Sequence, residues 1–447
     1  MKMRRLSSWV WAAVLAVLWQ AHAFGGELRV GTGKISVTPD PLVFPYRPSD
    51  APSLNVISGE RSIVGVHDDI YARALVLDDG ARRVALVVLE CTTVPMADEL
   101  QEAVAKELGL SKASVMLAAT HTHSVPLFSF SGSNPSPRER KEIDRLKQGA
   151  VEAARLANAS LQPAQVAFAR GQGWINVNNG EQNGLSTGYD PQGSSDKSLD
   201  VVRFETPQGS PIALVVNYAS HAEVMFRSVT KDNGYEVSGD LPGAVSRILE
   251  GTQSAAPLVL FTSGAEADQL TIFKSLKPAG TLPSTDEGAG GWALLDVLAQ
   301  RLSESVLNVI ATMKPGESQV HLEAASSTAT CPGQLIRINS ETHQVTKEDK
   351  PPVQIPLSML RINDIVLAGV GGDVASAIGL HLKSESPIPD TTLVSMAGPY
   401  MGYIFPDASY VHPGHGVTKS LLKEGCADHA VVDGIIRMIH GTPNGPK

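Results

Sequence analysis

The 447-residue chain carries 37 Lys and Arg residues against 46 Asp and Glu residues, which gives a formal net charge of −9 at pH 7. Hydrophobic residues make up 43% of the chain and charged residues 19%, a composition that supports a packed core and excludes a disordered chain. The acidic balance argues against a nucleic-acid surface, which requires clustered basic residues. The length allows one large domain or two to three of ordinary size.

The first 23 residues have the three parts of a secretory signal peptide. Lys2, Arg4 and Arg5 form a basic start, an apolar run follows at 10–18, and an A-x-A-like cleavage site lies at 21–23. The alternative is a membrane anchor, but the apolar run is about half of the ~20 residues that a spanning helix needs. We therefore expect a secreted or periplasmic mature chain over 24–447, with a net charge of −12 and no transmembrane span.

The chain contains three cysteines, and export would place them in an oxidising compartment. Cys91 closes a largely apolar run and is predicted to be buried. Cys331 and Cys426 could form a disulfide, a pairing that the sequence leaves open. Because the chain has no C-x-x-C motif, a thiolate zinc site is not expected.

Apolar, β-branched runs alternate with helical patterns along the chain, which predicts an α/β fold. Stretches 171–197 and 277–291 are rich in Gly, Asn, Ser and Pro and are predicted to be long surface loops. Region 318–356, polar and irregular, is predicted to be an excursion from a single large domain. The predicted strands are 84–89, 113–119, 212–218, 258–262, 365–370 and 392–396, and the predicted helices are 96–108, 137–158, 242–249, 292–313 and 374–383.

The most distinctive pattern is the pair His121 and His123, which follows directly on the predicted strand 113–119. An H-x-H pair on an extended segment projects both imidazoles to the same face. Neutral imidazole is a common zinc ligand, so the pair indicates a metal site. The alternative is two polar loop histidines.

Two more candidate ligands, His221 and Asp373, each follow an apolar strand. Alone, His221 could be a structural histidine and Asp373 a helix N-cap. Together with His121 they place three candidate metal ligands at the carboxyl ends of predicted strands. In open α/β sheets, this is the edge where bound molecules and ions lie. Two His and one carboxylate form a catalytic zinc set.

Other catalytic motifs are absent or incomplete. The chain has neither G-x-S-x-G nor H-E-x-x-H, which argues against an α/β-hydrolase nucleophile elbow and a zincin helix. Residues 31–34 look like half of a P-loop, but the upstream Gly and the following Ser or Thr are missing.

These motifs resemble those of the neutral (neutral/alkaline, non-lysosomal) ceramidases, a family of secreted zinc amidases. Residues 120–124 with Pro126 are similar to the family's T-H-T-H-S-G-P signature, with Val125 in place of its Gly. Similar blocks lie at 30–39, 66–74, His221 with Met225, 238–240, 372–379 and 398–404.

The resemblance implies a single α/β catalytic domain of layered mixed sheets flanked by helices. It implies a zinc-dependent amide hydrolase whose substrate is a small-molecule or lipid N-acyl compound such as ceramide. His123 would lie over the scissile amide as the catalytic residue, and Asp373, Asp240 or Asp268 would carry the proton to the leaving amine. The implied zinc ligands are His121, His221, Asp373 and Tyr403, with Tyr400 as the alternate to Tyr403.

The chain departs from the family pattern at several places. Asp373 replaces a Glu ligand, Leu270 stands at a family Ser, and Thr271 could substitute only with a one-residue shift. An Arg of an N-R block is replaced near 176–178, and the family's carboxy-terminal immunoglobulin-like domain is not expected. The alternatives are therefore a metallohydrolase of another amide, an ester or a phosphoester, or a non-catalytic binding protein. The sequence leaves the oligomeric state open.

Overall fold

A computed structural model describes residues 25–47, 61–126, 135–180, 189–251, 257–277, 285–339, 341–342 and 344–441. The predicted signal peptide at 1–23 lies outside these residues, as do parts of the two predicted loops. None of the helices in the described part of the chain is long and apolar enough to cross a bilayer.

The first of three main sheets is five-stranded and carries two helices on one face. Gly31 and Gly33 allow this packing, because a Cβ on Gly33 would come within 2.0 Å of the Ala153 carbonyl oxygen. The half P-loop pattern is therefore a place of close helix–strand contact. In spatial order the strands are Val115–Ala119, Arg83–Leu89, Tyr71–Asp78, Arg29–Ser36 and Gln162–Pro163, and the helices are Ala97–Leu108 and Pro137–Ala159.

The second and third sheets have four strands each, and each packs two helices. The second sheet has strands Leu258–Ser263, Pro211–Tyr218, Ser198–Glu205 and Gln165–Gln172 with helices Asp240–Gly251 and Gly291–Ala311. The third has strands Leu322–Ile338, Val345–Ile362, Ile365–Val370 and Asp390–Val394 with helices Ser376–Glu385 and Ala427–Ile439.

The three sheets meet in one apolar core. Met116 from the first sheet, Val215 from the second and Leu367 from the third belong to the same buried cluster. This shared core fixes the sheets relative to one another, so the ends of their strands have fixed positions.

Smaller elements connect the sheets. The two-stranded ladders are Gly26–Glu27 with Gln319–Val320, Ile63–Val66 with Tyr235–Val237, Asn176–Asn178 with Gln269–Thr271, Leu276–Lys277 with Thr285–Asp286, and Asp373–Val374 with Tyr403–Ile404. The short helices are His415–Lys419 and the 3₁₀ turns Pro41–Val43, Lys112–Ser114, Gly288–Gly290 and Asp407–Tyr410.

The predicted fold class is confirmed, since mixed sheets are flanked by helices and every predicted strand and helix is present within a few residues. The interpretation of 318–356 as irregular is wrong. Most of this region belongs to a long hairpin formed by Leu322–Ile338 and Val345–Ile362. Only Leu357–Ile362 pair with the next strand of the third sheet, and residues 345–352 of the hairpin are exposed and mostly polar.

A disulfide joins Cys331 in this hairpin to Cys426, directly before the helix Ala427–Ile439. The Cα atoms are 5.7 Å apart, so the pairing that the sequence left open is made. Cys91 is free and buried, as predicted, and burial raises the pKa of its thiol.

We expect the double substitution Cys331→Ala with Cys426→Ala to lower the free energy of unfolding by about 2–5 kcal/mol. The bond closes a loop with a sequence separation of 95 residues, and such a loop restricts the unfolded chain. Denaturant unfolding of the oxidised protein measures the difference. Added reductant should destabilise the wild type and leave the double variant unchanged; an effect of equal size on both would contradict the prediction.

Candidate metal centre

Three buried candidate ligands converge from three different sheets. His121 follows strand Val115–Ala119 of the first sheet, and His221 follows Pro211–Tyr218 of the second. Asp373 follows Ile365–Val370 of the third. Their exposed fractions are 3%, 4% and 0%. The expectation that each lies beyond the carboxyl end of a strand is confirmed, but these strands do not share a sheet edge.

Backbone carbonyls fix the orientation of the His121 and His221 imidazoles. His121 Nδ1 lies 2.7 Å from the Thr92 carbonyl oxygen, and His221 Nδ1 lies 2.8 Å from the Glu266 carbonyl oxygen. Because a carbonyl only accepts, each Nδ1 must donate, so Nε2 is the nitrogen of each ring that is left to bind an ion. This orientation of metal-binding histidines by an outer hydrogen bond is typical of zinc sites.

The Asp373 carboxylate faces both Nε2 atoms. Its Oδ2 lies 3.6 Å from His121 Nε2 and 3.3 Å from His221 Nε2. Neither Asp373 oxygen has a hydrogen-bond partner among the described residues. Ligand atoms at ~2.0–2.1 Å from a tetrahedral zinc are about 3.3–3.5 Å apart, so these spacings fit such an ion. A buried carboxylate without hydrogen-bond partners beside two imidazole Nε2 atoms is a donor set that a divalent cation satisfies once it displaces any proton on the rings.

The H-x-H pair meets by a different backbone route from the predicted one. His121 has a left-handed conformation with φ of 61°, so the segment is not extended there. The two rings nevertheless come together at right angles, with centroids 4.5 Å apart and Nε2 atoms 3.1 Å apart. The side chains of His121, His123 and His221 form a group that could hold a metal, with ligand atoms within 4.8 Å of one another.

His123 differs from the other two histidines in what its Nδ1 faces. This atom lies 3.6 Å from a carboxylate oxygen of Glu223, not against a backbone carbonyl. Glu223 in turn forms an ion pair of 2.6 Å with Lys274. His123 is thus coupled to a charged pair at the edge of the cluster, whereas His121 and His221 are held by the main chain.

Burial and the Asp373 charge set opposite states for the two fixed histidines. Burial lowers the pKa of His121 to about 4, against the opposing charge of Asp373. Burial also disfavours a charged His221, but Asp373, Glu223 and Glu266 together outweigh it and raise the pKa of His221 to about 10. These acidic residues thus hold a proton on His221, and a bound cation would take the place of that proton.

Comparison with known proteins gives this cluster a family context. Residues 58–262 match the family model described as neutral/alkaline non-lysosomal ceramidase, N-terminal. Neutral ceramidases B and A of Dictyostelium discoideum are 27% and 28% identical over 217 and 206 residues. These matches cover 44% and 42% of this chain but only 29% and 28% of the relatives, so the match spans less than a third of their length.

Solved structures of ceramidases share the fold. The crystal structure of neutral ceramidase from Pseudomonas aeruginosa superposes with a TM-score of 0.68 at 16% identity. A ceramidase complexed with C2 gives a TM-score of 0.70 at 15% identity. Each alignment covers 94% of this chain and 76% of the solved one.

Residues 58–262 of the chain therefore resemble the neutral/alkaline non-lysosomal ceramidases, and 94% of the chain shares the fold of two solved ceramidases.

Tyr403 and Tyr400, the two candidates for a fourth ligand, both lie beside Asp373. Tyr403 is its direct neighbour in the parallel ladder Asp373–Val374 with Tyr403–Ile404, and its ring stacks on Phe405. The hydroxyl of Tyr400 is shielded from water, which raises its pKa, and the charges of Asp373 and Glu266 add to this shift. The choice between the two tyrosines is therefore an experimental one.

Three charged residues at the site were not identified from the sequence. Glu223 and Lys274 form the ion pair at His123, and Glu266 is fully buried next to His221. The H-x-E spacing of His221 and Glu223 was an available signal. No local sequence pattern identifies Lys274 or Glu266 as site residues, because their partners lie at least 45 residues away along the chain.

The remaining candidate residues have structural partners. Asp268 accepts hydrogen bonds from the backbone and hydroxyl of Ser376, and therefore anchors a helix start. Asp240 accepts the N–H groups of Val224 and Met225, and burial raises its pKa to about 6. Burial raises the pKa of Asp268 too, and both carboxyl groups are thus held by structural hydrogen bonds.

The departures from the family pattern are also explained by local contacts. Thr271 donates its hydroxyl proton to the Phe273 carbonyl and is 1% exposed, so it offers no free nucleophile. Asn176, in the block that lacks the family Arg, donates to the carbonyls of Asp196 and Ala219 inside the protein. Both residues serve the fold.

We expect His121→Ala and His221→Ala to abolish binding of one zinc ion per chain, because each removes an inner ligand. The loss should exceed the ~10–100-fold that follows removal of an outer-shell partner. His123→Ala should retain the metal if His123 acts on the substrate. Elemental analysis after dialysis measures the zinc content. His381→Ala, which removes a histidine paired with Asp428, is the matched control; loss of zinc in His123→Ala would make His123 a third ligand.

We expect Tyr403→Phe to lower the zinc affinity and Tyr400→Phe to leave it unchanged, because only an inner ligand loses a metal bond with its oxygen. Chelator competition measures both affinities. The reverse result would assign the ligand to Tyr400, and two unchanged affinities would remove tyrosine from the ligand set.

Proposed function

We propose that this protein is an exported zinc-dependent amidase that hydrolyses an N-acyl substrate such as ceramide. The observation that carries the proposal is the buried convergence of His121, His221 and a carboxylate of Asp373 without hydrogen-bond partners. The match of residues 58–262 to the ceramidase family model supports an amide as the substrate bond.

A bound zinc ion would supply Lewis acidity and lower the pKa of water toward ~7. The chain's own contribution begins with the donor set. His121, His221 and Asp373 would hold the ion, and the carbonyls of Thr92 and Glu266 keep both rings in the required tautomer. Because these donors are buried and fixed, they need little rearrangement when the ion binds.

His123 is placed to act on the substrate. It lines a small open cleft whose wall combines apolar and polar side chains, so a substrate could reach its ring from solvent. Burial lowers the pKa of His123 well below its usual value, so the ring enters the reaction neutral, with one donor and one acceptor nitrogen. Besides His123, the lining residues are Ile63, Ser124, Val125, Met225, Phe226, Arg227, Tyr235 and Glu236.

The Glu223–Lys274 ion pair would allow His123 to carry a proton during the reaction. Burial alone would raise the pKa of Glu223, but Lys274 and His123 outweigh it and keep the carboxylate charged. When His123 takes up a proton, Glu223 at 3.6 Å stabilises the imidazolium. His123 is then able to move that proton to the leaving amine.

Sequence departures favour a second candidate, a zinc hydrolase of an amide other than ceramide. Leu270 stands at the family Ser position, and Asn176 is committed to internal hydrogen bonds where the family has a substrate-binding Arg. The chemistry at zinc and His123 would be the same, and only the recognition of the polar part of the substrate would differ.

Secretion or location in the periplasm belongs to the same proposal. The basic, apolar and A-x-A parts of residues 1–23 support export. The Cys331–Cys426 disulfide supports it as well, because such bonds persist in oxidising compartments.

A substrate panel tests the function. We expect the purified, zinc-loaded chain to release fatty acid from ceramide or another N-acyl amide, and chelation to stop the reaction until zinc is restored. His123→Ala should lower kcat by ~10²–10⁴-fold while zinc stays bound. Preference for a non-ceramide amide would select the second candidate. Turnover that is unaffected by chelation, or no turnover of any amide, ester or phosphoester, would reject the enzyme assignment.

A further inference from the structure

Glu266 is held between two of the metal-centre residues by its own main chain. Its carbonyl accepts the Nδ1 proton of His221 at 2.8 Å. The next residue, Ala267, donates its N–H to the Val374 carbonyl at 3.0 Å, directly after Asp373. The loop that carries Glu266 is thus fastened to the His221 segment and to the Asp373 strand.

The Glu266 side chain makes no hydrogen bond to the described residues that would explain its burial. It is 0% exposed, and neither carboxylate oxygen has a hydrogen-bond partner among the described residues. The nearby Ser263 hydroxyl donates to the Thr120 carbonyl instead. A buried carboxylate without partners is costly, so its retention calls for a compensating group.

The surroundings of Glu266 identify that group as a cation. Its main chain lies between the segments of His221 and Asp373, and both of these residues act electrostatically on its buried carboxyl group. Two neutral imidazoles and the Asp373 carboxylate would leave one positive charge on a bound divalent ion. A second buried carboxylate neutralises this remaining charge where water cannot.

We propose that Glu266 is the second carboxylate of the metal centre, a positioning residue that balances the bound cation through His221 and Asp373. The inference rests on the proposed zinc site. Asp373 also has a side chain one methylene shorter than the Glu of the family pattern. A second negative charge nearby would compensate for a weaker contact between this shorter carboxylate and the ion.

This role predicts different effects in the two states of the protein. Without metal, removing the acid function of a buried side chain that has no hydrogen-bond partner among the described residues should cost little stability. With metal, the same removal leaves an uncompensated positive charge. A residue that merely packs in the core would lower stability in both states.

The test is Glu266→Gln, which keeps the shape and removes the charge. We expect its zinc affinity, measured by chelator competition, to fall about 10-fold or more. The melting temperature of the metal-free full chain should change little, and the visible spectrum of the Co²⁺-loaded protein should change. Glu266→Asp should recover part of the zinc affinity. Unchanged zinc affinity, or a parallel fall of affinity and apo stability, would overturn the proposal.

Glu142→Gln is the matched control, because Glu142 is 1% exposed, pairs with Arg145 and lies in the helix Pro137–Ala159. It should lower apo stability and leave zinc affinity unchanged. The wild type separates this inference from the proposed function: a wild type that binds no zinc defeats both, whereas a zinc-binding wild type with an unaffected Glu266→Gln variant defeats only the role of Glu266.

Discussion

The structure depends on one constraint: strand ends from three separate sheets must meet at a single buried point. The apolar core shared by the three sheets fixes their relative positions, and His121, His221 and Asp373 then follow within a few residues of their strands. A shift of any sheet would separate His Nε2 atoms from the Asp373 carboxylate, which now lie within 3.6 Å. The large hydrophobic core therefore determines the geometry of a small polar site.

Small residues make that convergence possible on the Asp373 side. A Cβ on Gly371 would lie 2.5 Å from the Pro399 carbonyl oxygen, and one on Gly372 would lie 2.8 Å from that of Gly402. The two glycines thus let the segment with Tyr400 and Tyr403 pack directly against Asp373. This explains why the tyrosines lie next to the ligand set although they come from a separate part of the chain.

Local patterns in the sequence were sufficient for part of this arrangement. Apolar periodicity predicted the main strands and helices, and the position of His221 and Asp373 after such strands predicted their place. The left-handed turn at His121 and the distribution of ligands over three sheets depend on long-range packing, which no local window contains. The hairpin at 322–362 was missed because residues 345–352 are exposed on both faces of the ladder and mostly polar, and such a stretch resembles a loop.

Two groups of charged residues surround the three histidines. Glu223 lies at His123 and forms an ion pair with Lys274, so its charge is neutralised within the protein. The acids Asp373 and Glu266 lie at His221 and have no such cation among the described residues, so this second group alone depends on an added ion. The two groups are coupled, because Glu223 also raises the pKa of His221. A change at Glu223 would therefore affect both proton transfer by His123 and metal binding at His221.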